Sequence, residues 1–286
     1  MSFDAERYRR ASLEGWEEAA PGWVRQQELL REFATPVSLW MIDAVHPQPG
    51  ERVLELAAGL GETAMLAAEL VAPLGGVVIS DQAEAMLEGA RARAIALGLS
   101  NIEFQALNAE WIDLPLASVD IVTCRWGYML MADPAAALSE TRRVLRPGGR
   151  VALAVWDTLD SNPWALLPAQ ELIARGLAPA PDPNAPPTPG PFALGAPGRV
   201  QELLEQAGFV ELRVEALELV RRHSSFAEMW ETTLDLSRNV HDAVLSRPAA
   251  EIAQIEASLA ERFAPYTAAD GTLAIPARTL VASASA

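Results

Sequence analysis

The chain has 286 residues, half of them hydrophobic, a length that suits one substantial core with additions better than two independent domains. Its formal charge of −16 and its single cysteine, Cys124, argue against a nucleic-acid partner, an intrachain disulfide and a cysteine-rich metal or iron–sulfur site. All 22 basic residues are arginine, which removes Schiff-base chemistry, pyridoxal phosphate attachment and a P-loop lysine.

Met1 to Arg10 is charged and lacks the apolar run of a signal peptide, and no uninterrupted apolar segment approaches the ~20 residues of a membrane span. The expectation is a cytoplasmic protein with no membrane partner. Residues 1–45 are expected to form an N-terminal helical cap segment, followed by an α/β core over 46–157. From Glu51 to Trp156 short apolar runs alternate with helical patterns, the signature of βαβ units in a mostly parallel sheet. The runs are Val53–Leu56, Val77–Ser80, Ile102–Phe104, Ile121–Cys124 and Val151–Trp156. Between the second and third, Met86, Leu87, Ala90, Ala94 and Leu97 share a helical face that Gly98 closes. Asp133-Pro134 supplies an N-cap and first-turn proline to a helix carrying Ala137, Leu138, Thr141, Val144 and Leu145, and Pro147-Gly148-Gly149 turns into the next strand.

The character then changes. A cap insertion is expected over 158–196, and seven of the 13 residues from Pro179 to Pro191 are proline, so that stretch reads as an extended spacer or a loop over a site. Residues 197–286 return to the core. They hold a helix with Val200, Leu203, Leu204 and Ala207 on one face, a strand from Phe209 to Val220, a helical insertion at about 224–267, and a small last strand from Thr279 to Ser283.

The turn after the first strand carries the most chemical information. Gly59-Leu60-Gly61-Glu62-Thr63-Ala64 matches the G-x-G-x-x-A form of the dinucleotide fingerprint, and Asp81 follows about 20 residues on, where such proteins keep a ribose-binding acid. The same strand–turn–helix suits S-adenosylmethionine when an acid stands at the tip of the first strand, as Glu55 does. A carboxylate there attracts the ammonium of the cofactor's methionine end and repels a pyrophosphate.

The order of pieces resembles the class I S-adenosylmethionine-dependent methyltransferases, in particular the small-molecule branch related to the ubiquinone and menaquinone biosynthesis enzymes. The anchors are the Glu55–Gly61 turn, Asp81 with Ala85-Met86-Leu87, Asn108-Ala109-Glu110, Asp120, and Leu145-Arg146-Pro147-Gly148-Gly149. This resemblance implies a doubly wound, mostly parallel seven-stranded α/β sheet of Rossmann-like methyltransferase type with helical cap insertions. It also implies S-adenosyl-L-methionine as cofactor. Ala57, Gly59 and Gly61 would approach the methionine part and Glu55 would hold its ammonium directly or through water. Asp81 would accept both ribose hydroxyls, Gln82, Asn108 and Ala109 would meet the adenine, and Arg125 and Trp126 would line the floor where cofactor and acceptor meet.

Where many O-methylating relatives carry a histidine, this chain has Met129 and Leu130. If the nucleophile must lose a proton, the candidate bases are Tyr128, His223 and His241, with His46 structural. Trp16, Trp23, Trp164 and Trp230 are candidates to wall an apolar acceptor pocket, and Cys124 reads as a small buried hydrophobe. No metal-ligand cluster is expected. The resulting expectation is methyl transfer to a small, largely apolar acceptor, at oxygen before nitrogen or carbon. The alternatives are an NAD(P)-dependent oxidoreductase and a non-catalytic cofactor-binding protein.

Overall fold

The computed structural model describes residues 3–180 and 188–286. Among them, one sheet is built from β1 Arg52–Glu55, β2 Gly76–Asp81, β3 Ile102–Ala106, β4 Val119–Arg125, β5 Leu145–Trp156, β6 Val210–His223 and β7 Leu273–Ser285. Their order is β3-β2-β1-β4-β5-β7-β6. Strands β1 to β5 are parallel, and β7 runs antiparallel to both of its neighbours. Val53, Leu54, Val78, Ile79, Ile121 and Val122 are all buried, as continuous apolar runs should be when helices cover a parallel sheet.

Helices α1 Ala5–Arg25 and α2 Gln27–Val45 precede the sheet, and α3 Glu62–Val71 and α4 Glu84–Ala96 connect β1 to β2 and β2 to β3. The β3–β4 link has no helix and makes only the bridge Asn108↔Trp111. Helix α5, Pro134–Val144, begins where Asp133 Oδ1 accepts the Ala136 N–H at 3.0 Å. Next come α6 Pro163–Ala174, α7 Arg199–Gln206, α8 Phe226–Leu236, α9 Arg238–Leu245 and α10 Ala249–Phe263. Leu172, Trp230, Val244, Ile255, Leu259 and Phe263 from these later helices form a second apolar cluster, which packs on Leu273 and Ile275 of β7. No helix among the described residues is long and apolar enough to cross a membrane.

Several elements differ from the sequence expectation. Leu97 lies past the end of α4 and is exposed rather than on the buried face, and Leu145 opens β5 rather than closing α5. Asn162-Pro163 starts a helix in the cap insertion that its prolines obscured. Of the Pro179–Pro191 stretch, residues 181–187 lie outside the described residues. The last strand is 13 residues long. Pro276 lies within it, where β7 has β6 as its one neighbour because pairing with β5 starts only at Thr279, so the missing proline N–H leaves no ladder bond unmade.

Chain order reverses at β1, which has β2 on one side and β4 on the other, and the connections leaving their carboxyl ends diverge there. Such a reversal leaves a crevice. Gly61 sets how close α3 comes to the sheet beside it: its φ is +74°, and a Cβ would stand 2.9 Å from Ile79 Cδ1 and 3.3 Å from Met65 Cε. Gly61→Ala is expected to cost about 2–4 kcal/mol of stability in urea denaturation, left-handed strain and overpacking combined. A loss below about 0.5 kcal/mol, the usual scale of a surface change, would show that the turn simply relaxes.

Candidate active site

The turn from β1 into α3 is held by its own N–H groups. Glu55, at the end of β1, is buried, and its Oε2 accepts the Ala64 N–H at 2.8 Å in the first turn of α3. Its main-chain carbonyl accepts Ser80 Oγ at 2.7 Å, while Ala58 donates its N–H to the Ser80 carbonyl at 2.9 Å. Asp81, at the end of β2, accepts Gly59 N–H on Oδ2 at 2.9 Å and Ala83 N–H on Oδ1 at 3.0 Å. Ala57 adopts the left-handed backbone, φ +49°, that a glycine would favour. Burial pushes the Asp81 carboxyl upward against the pull of these N–H groups, and burial carries Glu55 to about 7 despite Arg125 nearby.

A cavity opens above this turn. Ala57, Gly59, Asp81, Gln82, Asn108, Ala109, Arg125 and Trp126 all line it. Glu55 and Gly61 do not: Glu55 turns under the loop toward the α3 N-terminus, and Gly61 faces β2. Both residues shape the turn beneath the cavity, Glu55 through the Ala64 N–H and Gly61 through its close approach to Ile79. The Asn108 side-chain carbonyl accepts the Glu110 N–H at 2.8 Å, and Gln82 donates its amide to Ser12 at 3.1 Å.

Helix α1 roofs the cavity with Tyr8, Arg9, Ser12, Trp16 and Trp23. It is latched at several points. Tyr8 donates its hydroxyl to the Leu130 carbonyl at 2.8 Å, Arg9 pairs with Glu110 and lies over Trp111, and Glu17 accepts the Glu84 and Ala85 N–H groups at the start of α4 at 2.7 and 3.1 Å. Glu62 also lines the cavity and is paired with Arg125 at 2.9 Å and Arg93 at 3.2 Å. The sequence gives Glu62, Glu110 and Glu17 no pairing role, because their partners are distant in the chain. The roof did carry a signal, because Tyr8, Ser12 and Trp16 recur every four residues along one helical face.

None of the three candidate bases reaches this cavity. Tyr128 begins a short helical turn and is wholly buried; its hydroxyl lies 2.6 Å from Thr141 Oγ1, and burial raises the phenol well above its ordinary range. His223, buried at the end of β6, faces a separate cleft lined by Arg25, Glu28, Glu228 and Thr272, and burial and Arg221 hold it neutral with a pKa of about 4. His241 is exposed on α9 beside Asp242. Cys124 is buried, and burial pushes its thiol to about 12. Trp16 and Trp23 line the cavity, Trp164 stacks on Trp156, and Trp230 belongs to the second apolar cluster.

The donor set fits a nucleoside that carries an amino-acid tail. Each Asp81 oxygen accepts one N–H and keeps lone-pair capacity for a hydroxyl, so the pair can receive a vicinal diol. Gly59 borders open space, since a Cβ there would meet only Trp23 Cζ3 at 4.0 Å. Arg125 Nε and Trp23 Nε1 are buried donors without a partner, both on residues of the cavity wall.

Comparison with known proteins agrees with this geometry. A family model described as a methyltransferase domain matches residues 47–208. A nocamycin O-methyltransferase of Saccharothrix syringae is 35% identical over 188 residues, which is 64% of this chain and 67% of that protein. The ubiquinone/menaquinone biosynthesis C-methyltransferase UbiE of Xanthomonas oryzae is 38% identical over 112 residues, 39% of this chain and 44% of its own length. This chain therefore spans two thirds of one relative and less than half of the other. In fold, the crystal structure of the YcgJ protein of Bacillus subtilis aligns with a TM-score of 0.55 and 21% identity over 87% of this chain and 97% of that one.

The position of Glu55 gives a pH dependence with a definite sign. Its folded pKa of about 7 lies above its ordinary 4.5, so between those values the folded chain keeps a proton that the unfolded chain has released. Its contribution to stability therefore declines as pH rises through that window and stays low above it. Glu55→Gln, which keeps an acceptor for Ala64 N–H and has no proton to lose, is expected to gain on wild type by on the order of 3 kcal/mol between pH 5 and pH 8. Parallel stability curves in denaturant at the two pH values would contradict this placement of the carboxylate.

Proposed function

This chain belongs to the S-adenosylmethionine-dependent methyltransferase family, and on that premise we propose that it methylates an oxygen of a small, largely apolar acceptor that arrives already ionised. Membership sets aside the nicotinamide alternative. When bound, S-adenosylmethionine supplies an activated methyl group on a sulfonium centre, which a lone pair of the acceptor displaces. The chain's own residues then have to hold the donor, align the acceptor and exclude water.

For the donor, Asp81 would accept the ribose hydroxyls, with Gln82, Asn108 and Ala109 beside the adenine. Ala57 and Gly59 would lie along the methionine part. Arg125, whose Nε lacks a partner, would meet the tail carboxylate, and Glu62 is the cavity carboxylate suited to the ammonium. Glu55 would contribute by fixing the turn rather than by touching the donor.

The observation that carries the acceptor reading is the lack of a free base on the cavity wall. Its titratable groups among the described residues are Tyr8, Arg9, Glu62, Asp81, Glu110 and Arg125. Tyr8 donates to a carbonyl and burial raises its phenol, both glutamates are ion-paired, and Asp81 is engaged by two N–H groups. A neutral alcohol, a protonated amine or a ring carbon would need a group to take a proton. A carboxylate or an acidic phenol or enol would not. The relatives divide between oxygen and carbon by name, and the base-free wall favours oxygen.

Calorimetry with S-adenosylhomocysteine tests the donor assignment. Asp81→Asn is expected to weaken binding about 10–100-fold, the loss of hydrogen bonds to a charged group, with the fold retained. Unchanged affinity would put the ribose elsewhere. With an acidic acceptor, kcat/KM is expected to stay flat across the range where the acceptor is ionised; a rise through pH 6–8 would reveal an enzymic base.

A further inference from the structure

Arg221, near the end of β6, has no counter-ion among the described residues. Its guanidinium carbon lies 4.7 Å from the Trp164 ring centroid and 5.6 Å from that of Phe33. Its Nε is sealed from solvent without a hydrogen-bond partner. Other arginines drawn partly into the fold are answered by a carboxylate: Arg9 by Glu110, Arg125 by Glu62, Arg150 by Glu51. Among the described residues Arg221 has no such answer, and burial alone lowers its pKa, to about 10. Aromatic faces attract a cation, but less than water or a carboxylate would, so the position is a standing cost to the folded chain.

The rings around it lead to the active site. Phe33 stacks on Trp126 at 5.9 Å, Trp126 on Trp156 at 4.4 Å, and Trp156 meets Trp164 at 5.0 Å. Trp126 itself lines the cofactor cavity. These rings come from α2, α6 and the carboxyl ends of β4 and β5, and β6 delivers Arg221 to the same edge of the sheet. A cation behind an aromatic wall matches a planar conjugated body bearing a carboxylate, because guanidinium and carboxylate pair through two parallel hydrogen bonds while rings stack on the body. The chain's −16 charge gives such an anion no long-range attraction, so a local cation has to supply it.

We infer that Arg221 is the specificity-determining counter-ion for the acceptor, and that the acceptor is an aromatic or conjugated carboxylic acid whose carboxylate reaches Arg221 at the Phe33–Trp164 end of this row of rings. Naming the bound acid as the acceptor rests on the methyl-transfer reading; the anion site itself does not.

Quenching of tryptophan emission tests it on the whole protein, with 4-nitrobenzoate and its uncharged counterpart 4-nitrobenzamide as probes. Wild type is expected to bind the acid at least tenfold more tightly than the amide, and Arg221→Met to erase that preference. Because Met removes an uncompensated charge, this variant is also expected to melt at a higher temperature without ligand, which a purely structural arginine would not allow. Equal affinities in wild type, no binding of the acid, a retained preference in Arg221→Met or a lower melting temperature in that variant would overturn the inference. If Arg221→Met does not fold, Arg221→Lys decides: a several-fold loss for the acid alone supports the site, and an unchanged acid affinity overturns it. Calorimetry with S-adenosylhomocysteine on the same samples separates the two readings. Acid preference without nucleoside binding removes the methyl-transfer reading and leaves the anion site, and nucleoside binding without acid preference does the reverse.

Discussion

Two buried carboxylates grip the turn between β1 and α3 by its N–H groups, Asp81 holding Gly59 and Glu55 holding Ala64. The cavity takes its shape from that grip. Without it, Ala57 would have little reason to stay in a left-handed conformation that costs an alanine about 1–2 kcal/mol. The charged hydrogen bond from the Gly59 N–H to Asp81 is worth roughly as much, so it offsets that strain. The two acids divide the labour by orientation: Asp81 keeps capacity toward the cavity, whereas Glu55 is committed beneath it.

Helix α1 roofs the crevice at the sheet's carboxyl edge. Its contacts reach three different walls: Gln82 after β2, Glu110 after β3 and Leu130 after β4. A further carboxylate, Glu17, caps the start of α4 from outside that helix. Enclosure suits the transfer of a methyl group, because water is the commonest competing nucleophile and because ion pairs such as Arg125 with Glu62 strengthen when solvent is kept away. The second apolar cluster, with Trp164 touching both it and the main core, backs the row of stacked rings.

Local patterns made the turn and the strand ends legible. Gly59, Asp81, Asn108, Arg125 and Trp126 follow apolar runs whose ends can be read residue by residue, and they meet on one cavity. Orientation was not legible at Glu55 and Gly61, since which way a side chain leaves a strand tip or a turn depends on what packs there, here α3 and Ile79. The candidate bases were chosen by type and by nearness in sequence. Tyr128 directly follows the cavity-lining Gly127 yet points into the core toward Thr141, and the ends of β6 and α9 carry His223 and His241 elsewhere. Glu62 matters through partners 31 and 63 residues away, and Arg221 through having none among the described residues, and no local spacing encodes that.

Donor binding depends on where Asp81 and Glu55 point when the donor is present. A crystal structure with S-adenosylhomocysteine measures this directly. It should show both ribose hydroxyls on the Asp81 carboxylate and no atom of the nucleoside within hydrogen-bonding distance of Glu55, still joined to Ala64. A ribose bound away from Asp81, or a Glu55 side chain swung out to the amino group of the ligand, would contradict it.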